Sequence, residues 1–289
     1  MALTRERSAQ AGEVVPRIVV AMVNYNSSDQ AVAMIASARK LRRKPELVVL
    51  DNSKEASPRL QEAARAGEIE YRHTERNRGY YGAVAWWLAK DNWSEVDWLF
   101  IANPDMVFHD SGLFDHLSKD GVHGVGGRVG LYGPRIWSTA RNIDQNPHRV
   151  KRPRQRDLYK HLILTSWAPF GHIYRWRERK SKTKARSMAR FDEPTEVFAV
   201  QGSFIGFHCE FLKRCSIPTD AFLFLEEEIV GVLCADAGLR TVYDPRVSIA
   251  HDEHKALGDP YRPELLRHRH RSVRALMRYL KNSQNFIRA

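Results

Sequence analysis

The stretch RIVVAMVNYNSSDQAVAMIASARKLRRKPELVVLDNS, residues 17–53, decides the fold. It contains two short aliphatic and β-branched runs, at 17–23 and 46–50, which are typical of buried strands. Between them, Val32 and Ile35 have helical spacing after a serine that can cap a helix. A strand, a helix and a second strand in this order predict a parallel βαβ unit.

The same alternation continues along the chain. We predict further helices over residues 57–66, 80–91 and 229–237, and further strands over 69–72, 98–102, 196–200 and 247–250. Strands that alternate with helices over residues 17–105 predict an α/β fold with a mostly parallel, nucleotide-binding type of sheet.

The composition is that of a globular protein, since 43% of the 289 residues are hydrophobic. The three cysteines form no CxxC motif, which predicts free thiols in a reducing cytosol. The N-terminus lacks the apolar core of a signal peptide, and no apolar run approaches the ~20 residues that span a bilayer. We therefore expect a cytoplasmic protein that is soluble or lies on a membrane surface.

The formal net charge of +12 is unevenly distributed. Residues 141–190, here named the basic insert, hold 15 basic and 3 acidic side chains, and residues 255–289, the basic tail, hold 9 and 2. We expect an extension over residues 1–16 and one domain over 17–254 that contains the insert. Outside the insert and the tail the chain is net negative, so the basic excess does not belong to the part that carries the strand-end motifs.

Both basic segments have several interpretations. Aromatic residues mixed with cations in the insert fit nucleic-acid binding, an anionic membrane surface or a solvated loop. In the tail, apolar residues at helical spacing over 264–281 predict an amphipathic helix. We expect its apolar stripe to pack on the protein and its cations to face a membrane or a partner.

Polar residues follow three predicted strands, at 24–26, 51–53 and 103–105. Ligands bind beyond the carboxyl ends of parallel strands, although Asn, Asp and Pro are also common turn residues. The chain has neither a G-x-G-x-x-G nor a Walker motif, so a bound diphosphate would need another counter-charge. A carboxylate at Asp105, directly after Pro104, could hold Mg²⁺ or Mn²⁺ for this purpose.

Three late features could also carry chemistry. Glu226, Glu227 and Glu228 follow an apolar run and begin a predicted helix, where acids favour the helix dipole but can also share a cleft as a general base. His251 ends a strand and is either a metal ligand or a structural histidine. Gln201-Gly202 is either part of a site or a glycine bulge.

Taken in order, these motifs resemble the family 2 glycosyltransferases, in particular the bacterial rhamnosyltransferase-like branch that builds surface polysaccharides. The resemblance covers roughly residues 17–254. It rests on Val23-Asn24-Tyr25-Asn26, Val48-Val49-Leu50-Asp51-Asn52-Ser53, Asn77-Arg78-Gly79, Asn103-Pro104-Asp105, Gly133-Pro134-Arg135-Ile136, Gly202-Ser203, Glu226-Glu227 and His251.

The resemblance implies a GT-A fold and inverting transfer from a nucleoside-diphosphate sugar, such as a UDP- or dTDP-sugar. Asp51 would hold the base or ribose of the nucleotide, with Asn24 and Tyr25 lining its pocket. The other implied donor-binding residues are Asn52, Asn77, Gly79, Asn103, Gln201 and Gly202.

The resemblance also implies the metal site and the base. Asp105 matches the last acid of the family's D-x-D motif, and the first acid of that motif is replaced by Asn103 here. His251 matches a late metal-binding histidine. Glu227 falls on the second acid of the family's acidic pair and Glu226 on the first, so Glu227 is the expected general base, with its neighbours as alternatives.

The resemblance therefore implies Mg²⁺ or Mn²⁺ as cofactor and a saccharide or lipid-linked saccharide as acceptor. We also expect peripheral contact with the inner face of the plasma membrane and no nucleic-acid partner. Two other hypotheses stay open: a nucleic-acid-binding protein that uses the basic insert, and a non-catalytic sensor of sugar nucleotides.

Overall fold

The computed structural model describes residues 15–90, 95–166, 191–253 and 263–287, and confirms the α/β fold. The strands are β1 Ile18–Asn24, β2 Glu46–Asp51, β3 Glu70–His73, β4 Trp98–Ala102, β5 Met106–Val107, β6 Leu117–Ser118, β7 Gly121–Val122, β8 Val129–Ser138, β9 Ile143–Asp144, β10 Thr195–Val197, β11 Phe204–His208 and β12 Arg240–His251. The helices are α1 Ser28–Ala38, α2 Pro58–Arg65, α3 Tyr80–Leu88, α4 Gln155–Ser166, α5 Cys209–Arg214, α6 Glu226–Asp236 and α7 Pro263–Ile287.

The main sheet has the order β10-β12-β8-β11-β4-β1-β2-β3. Strands β3, β2, β1 and β4 are mutually parallel, as the βαβ pattern predicts. Beyond β4 the sheet is mixed, because β11 runs antiparallel to both β4 and β8, whereas β12 is parallel to β8. The carboxyl ends of β1, β2 and β4 therefore lie at one edge, where β1 ends opposite β2 as Asn24 pairs with Asp51.

The sheet is buried on both faces, which explains the continuous apolar runs of its strands. All seven residues of β1 and all five of β4 are buried. Two apolar clusters cover the two faces of the sheet. A third cluster joins α4, α6 and α7, with Ile229 and Val232 of α6 against Val273 and Leu276 of α7.

Two strands differ from their predicted limits. The predicted strand 196–200 ends at Val197, because Ala199 makes only an isolated bridge with Arg149 and the chain then turns toward Gly202. The last strand was predicted to cover only 247–250, whereas β12 begins at Arg240. A register shift between Asp244 and Ser248 marks a bulge, which accommodates a proline inside a strand.

The basic segments contain more helix than predicted. Helix α4 lies inside the basic insert, where no periodic pattern predicts a helix, and it packs on α7 through Leu158. The tail helix extends beyond the predicted 264–281 to cover Pro263–Ile287, with its apolar stripe on the protein. Among the described residues, no helix combines the length and apolar character needed to cross a membrane.

Candidate active site

The first part of the site pairs Asp105 with His251. Strand β5 is antiparallel to the end of β12, and His251 pairs with Met106, the residue after Asp105. The His251 Nε2 atom lies 3.3 Å from Asp105 Oδ1, and both side chains are largely buried. The end of β4 and the end of β12 thus bring together the two residues that the sequence suggested as metal ligands.

A glutamine that the sequence analysis did not identify fixes the orientation of His251. Gln145, next to β9, donates its amide to Glu253 Oε1 at 2.5 Å, so its Oε1 faces the imidazole. That oxygen accepts a hydrogen bond of 2.6 Å from His251 Nδ1. Nδ1 therefore carries a proton, and in the neutral form of the ring the lone pair of Nε2 faces Asp105.

These two side chains suit a divalent cation. Asp105 Oδ1 is buried and has no hydrogen-bond partner among the described residues, although a carboxylate oxygen normally finds one. When His251 is neutral, this oxygen and the imidazole Nε2 opposite it are two facing metal ligands. No cluster of three or more His, Cys, Asp or Glu residues forms a metal site within the described ranges. Mg²⁺ and Mn²⁺ commonly accept so few protein ligands when a diphosphate and water complete the shell.

A cleft of about 300 Å³ opens beside Asp105. It lies between the first turn of α1 and the segments that carry the metal-ligand pair. Its lining is Asp29, Gln30, Ala33, Pro104, Asp105, Val107 and Asp252.

The three consecutive glutamates lie in the first turn of α6 and have different surroundings. Glu228 is fully buried, and its Oε1 accepts hydrogen bonds of 2.7 Å from Arg149 Nε and Nη2. Burial alone would raise the pKa of Glu228, but the neighbouring His148 and Arg149 outweigh burial and lower it. Glu228 is therefore an ionised partner of Arg149.

Glu226 is also buried, but no cation in the described part of the chain lies beside it. Its Oε1 has no hydrogen-bond partner among the described residues. Burial, and next the negative charge of Glu227, raise the pKa of Glu226 well above its usual range. Of the three glutamates, Glu226 is thus the one whose surroundings favour the protonated form.

Glu227 is the partly exposed member of the three. Its Oε1 accepts a hydrogen bond of 3.3 Å from the backbone N–H of Gly202. A Cβ atom at Gly202 would lie 2.6 Å from that same oxygen, so only glycine leaves room for the carboxylate. The Gly202 carbonyl in turn accepts a hydrogen bond of 2.9 Å from the Tyr80 hydroxyl.

Tyr80, which the sequence analysis did not select, connects the two parts of the site. Burial raises the pKa of Tyr80, and the negative charges of Glu226, Glu227 and Asp105 raise it further. These three carboxylates are therefore close enough to act on one phenol. The chain geometry agrees, because the Asn103 N–H donates to the Ser203 carbonyl at 2.8 Å and so connects the Asp105 turn with the glycine beside Glu227.

The predicted nucleotide residues form a hydrogen-bonded floor at the ends of β1 and β2. Asp51 is fully buried, and its oxygens accept hydrogen bonds from Asn24 Nδ2 at 2.9 Å and from the Tyr71 hydroxyl at 2.7 Å. The backbone N–H groups of Ser53 and Ser57 donate to it as well. Burial would raise the pKa of Asp51, but these hydrogen bonds outweigh it and lower the pKa. The carboxylate is thus engaged by the protein itself, whereas Tyr25 is 53% exposed at the rim.

Asn52 attaches the turn before α3 to this floor. Its Nδ2 donates to the Gly79 carbonyl at 2.9 Å, and its Oδ1 accepts from Thr74. Asn77 accepts a hydrogen bond of 2.9 Å from the Gly79 N–H within the turn. Gly79 has a φ of +76°, a backbone conformation that is unfavourable for residues other than glycine.

Gln201 contacts the segment that follows β9 rather than the floor around Asp51. Its N–H donates to Asn146 Oδ1 at 2.7 Å, and its side-chain oxygen lies 3.1 Å from His148 Nδ1. The sequence predictions therefore fall into two groups: a floor around Asp51, and the segments that carry Asp105 and Glu227, which Asn103, Ser203 and Tyr80 connect.

A sequence model described as Glycosyl transferase family 2 matches residues 19–214, more than half of the chain. The chain belongs to this glycosyl transferase family. No curated protein sequence matches this family 2 chain significantly.

Solved structures support the same fold for this family 2 chain. GalNAc-T7 with UDP, GalNAc and Mn²⁺ superposes with a TM-score of 0.54 at 14% identity, covering 84% of this chain and 45% of that one. The mannosyltransferase PcManGT from Pyrobaculum calidifontis, in complex with GDP-Man and Mn²⁺, gives 0.52 at 14% identity and covers 93% and 74%. TarS 1–349 from S. aureus gives 0.50 at 11% identity and covers 82% and 60%. The architecture is the GT-A fold, and this chain spans less than half the length of the first of these proteins.

Proposed function

We propose that this protein transfers a sugar from a nucleoside-diphosphate sugar to an acceptor hydroxyl, with inversion at the anomeric carbon. The observation that carries the proposal is that the three glutamates have different surroundings. Glu228 is neutralised by Arg149 and Glu226 is buried, which leaves Glu227 as the partly exposed acid on the side of Asp105. A carboxylate with access to substrate, next to a candidate cation site, suits a displacement at a glycosyl phosphate.

In this reaction Glu227 accepts the proton of the acceptor hydroxyl. The hydroxyl oxygen forms a bond to the anomeric carbon as the bond from that carbon to the phosphate oxygen breaks, and the nucleoside diphosphate leaves with the bonding electrons. The Gly202 N–H holds the Glu227 carboxylate in place, and Tyr80 holds the Gly202 peptide. Fixing base and acceptor in this way lowers the entropic part of the barrier.

Asp105 and His251 would hold Mg²⁺ or Mn²⁺. When bound, the ion neutralises the diphosphate charge and thereby favours departure of the leaving group. Two of the similar structures contain Mn²⁺ with a nucleotide or a nucleotide sugar, namely UDP in one and GDP-Man in the other. We propose a UDP- or dTDP-sugar as donor, with the floor around Asp51 under the base and ribose.

For the acceptor we propose a saccharide or lipid-linked saccharide of bacterial surface polysaccharide synthesis, met at the inner face of the plasma membrane. Five exposed cations on α7 support a membrane contact, because they recur at intervals of four, three, four and three residues and so form one stripe. They are Arg267, Arg271, Arg274, Arg278 and Lys281. The aromatic and basic residues predicted to contribute from the insert, Trp167 to Lys184, lie outside the described residues.

The membrane contact is tested by sedimentation with vesicles. Wild-type protein should co-sediment with vesicles that contain anionic lipid and not with neutral ones, and an Arg271→Glu, Arg274→Glu variant should lose this binding. Binding to single-stranded nucleic acid instead, weakened by salt and unaffected by these changes, would support the basic-insert hypothesis.

The transfer reaction is tested with Glu227→Gln. This variant should lose at least about 100-fold in kcat, because general bases contribute about 10²–10⁴-fold. Its donor affinity, measured as the Tm increase with nucleoside diphosphate and Mn²⁺, should stay unchanged. Glu62→Gln, an exposed acid on α2, is the matched control and should keep full activity. Full activity of Glu227→Gln would refute the base assignment, whereas donor binding without turnover by the wild type on any acceptor would favour the sensor.

A further inference from the structure

The tail helix α7 contacts the loop that leads into the three glutamates. The His268 ring stacks on the Phe222 ring, with centroids 4.9 Å apart and planes inclined by 25°. The Arg269 guanidinium lies over the Phe224 ring at 4.3 Å from its centroid. Two consecutive residues of α7 thus contact two rings of the loop, Phe222 and Phe224, which are separated by one residue.

The same helix holds this segment before and after those two rings. The Tyr279 hydroxyl donates to Asp220 Oδ2 at 3.1 Å, just before the loop. After the loop, Ser283 donates to Asp236 at the last turn of α6, and the apolar faces of α6 and α7 share one cluster. The loop and the helix that carry Glu227 therefore contact α7 at several points between Asp220 and Asp236.

The loop needs such support because its backbone is strained. Leu225, the residue before α6, has a φ of +63°, which costs a non-glycine residue roughly 1–2 kcal/mol. A conformation of this kind persists when its surroundings hold it. The hydrocarbon side chain of Leu225 cannot form a capping hydrogen bond, so the restraint comes from packing of the loop and from the Leu225 carbonyl, which accepts a hydrogen bond of 3.1 Å from the Ile229 N–H.

The loop also touches the donor side of the site. The Phe222 ring packs against Gly79 so closely that a Cβ there would lie 2.8 Å from Cδ2 of the ring. Phe222 is thus held between His268 on one side and the turn before α3 on the other. Its position fixes the distance between that turn and the glutamates.

We propose that His268 and Arg269 are positioning residues for Glu227, and that α7 is the element that sets the base in its working orientation. This rests on the proposed function of Glu227. The family match ends at residue 214, so both the glutamate turn and the helix that holds it lie beyond the matched span. The backbone that carries the base is therefore held by contacts within the late part of the chain, whereas its carboxylate is held by the Gly202 N–H.

The test compares three variants of the full chain. His268→Ala, Arg269→Ala removes both ring contacts. His268→Phe, Arg269→Lys keeps an aromatic ring over Phe222 and a cation over Phe224, and Asn282→Ala changes an exposed residue of α7 outside these contacts. Each is assayed for kcat, for donor KM and for amide hydrogen exchange over residues 221–228.

We expect the double alanine variant to exchange about tenfold faster over 221–228, as loss of a stacked ring and a cation–π contact permits. Its kcat should fall about tenfold with donor KM within twofold, because the floor around Asp51 is unchanged. The Phe/Lys variant should recover most of the kcat, and Asn282→Ala should match wild type.

Unchanged exchange over 221–228 in the double alanine variant would overturn the proposal, as would a rise in donor KM equal to the fall in kcat. If the wild type transfers no sugar, the proposed function fails, and the exchange measurement still decides whether α7 holds the loop.

Discussion

Replacing Gly202 with alanine should inactivate the enzyme while leaving its fold intact. The added Cβ at this position would lie 2.6 Å from Glu227 Oε1, 2.9 Å from Cγ and 3.0 Å from Cδ. An ordinary contact begins near 3.4 Å, so the carboxylate must move by roughly 0.8 Å. The atoms that must move are the end of a flexible, partly exposed side chain, so we expect a loss of stability below about 1 kcal/mol.

The effect on catalysis should be much larger. A displacement of about 1 Å at a reacting group can cost about 100-fold in rate, which corresponds to about 2.7 kcal/mol of activation free energy. We therefore expect kcat to fall about 100-fold with little change in donor KM. Gly82→Ala, in α3, is the control. Its Cβ would lie 3.6 Å from the nearest atom, Arg78 Cβ, which is an ordinary contact, so this variant should keep its kcat unchanged.

A double-mutant cycle decides whether the effect passes through Glu227. If it does, Gly202→Ala should cost little more in a Glu227→Gln background, since the displaced group is already without function. Assays of sugar transfer and thermal unfolding on all four proteins complete the cycle. Full additivity of the two losses in activation free energy would refute the reasoning, and so would an alanine variant that is active and stable.

Three further predictions concern neighbouring groups. Glu226→Gln should retain transfer activity. Because the folded pKa of Glu226 is raised, the wild type loses stability as pH rises from the unfolded pKa toward the folded one. Over that range the advantage of the variant in free energy of unfolding should grow by up to about 1.4 kcal/mol per pH unit, which is checked by unfolding both proteins at several pH values. Tyr71→Phe should cost about 1.5–3 kcal/mol at neutral pH, because it removes a hydrogen bond to the buried Asp51 carboxylate. The lowered folded pKa of Asp51 means that this contribution is lost as pH falls through it, so acid unfolding of the variant should begin at higher pH while the difference disappears at the lowest pH. Gln145→Ala should weaken Mn²⁺ affinity about 10–100-fold in a titration followed by nucleotide-dependent Tm, and unchanged affinity would argue against the role of Gln145 behind His251.

The parallel half of the fold could be predicted from the sequence because its signals are local. Buried parallel strands require continuous apolar runs, and the helices between them carry apolar residues at helical spacing. The limits of α2 and α3 accordingly lie within three residues of the predicted ones. The mixed half was harder, since the bulge that lets β12 pass Pro245 depends on its pairing with β8 rather than on local sequence.

The site shows the same division between local and long-range information. Asp105, His251 and Glu227 stand at the ends of elements with clear signals, so their residue types and positions could be selected. Gln145 and Tyr80 could not, because an isolated glutamine or tyrosine carries no signal until the chain brings it to His251 or Gly202. The four hydrogen bonds that the protein donates to Asp51 could not be predicted either, since three of the donors lie on other segments or later in the loop.

The three glutamates illustrate why residue type alone does not assign a catalytic role. Successive residues of a helix point about 100° apart, so three adjacent side chains in one turn face three different surroundings. One direction leads to Arg149 and an ion pair, one leads into the protein beside the Tyr81 backbone, and one leads to the Gly202 N–H. A rotation of the turn by one residue would bring a different glutamate to Gly202 and leave Arg149 without its partner. The restraint of the loop before α6 is therefore as important for the choice of base as the acidic residues themselves, because it fixes the rotation of that turn.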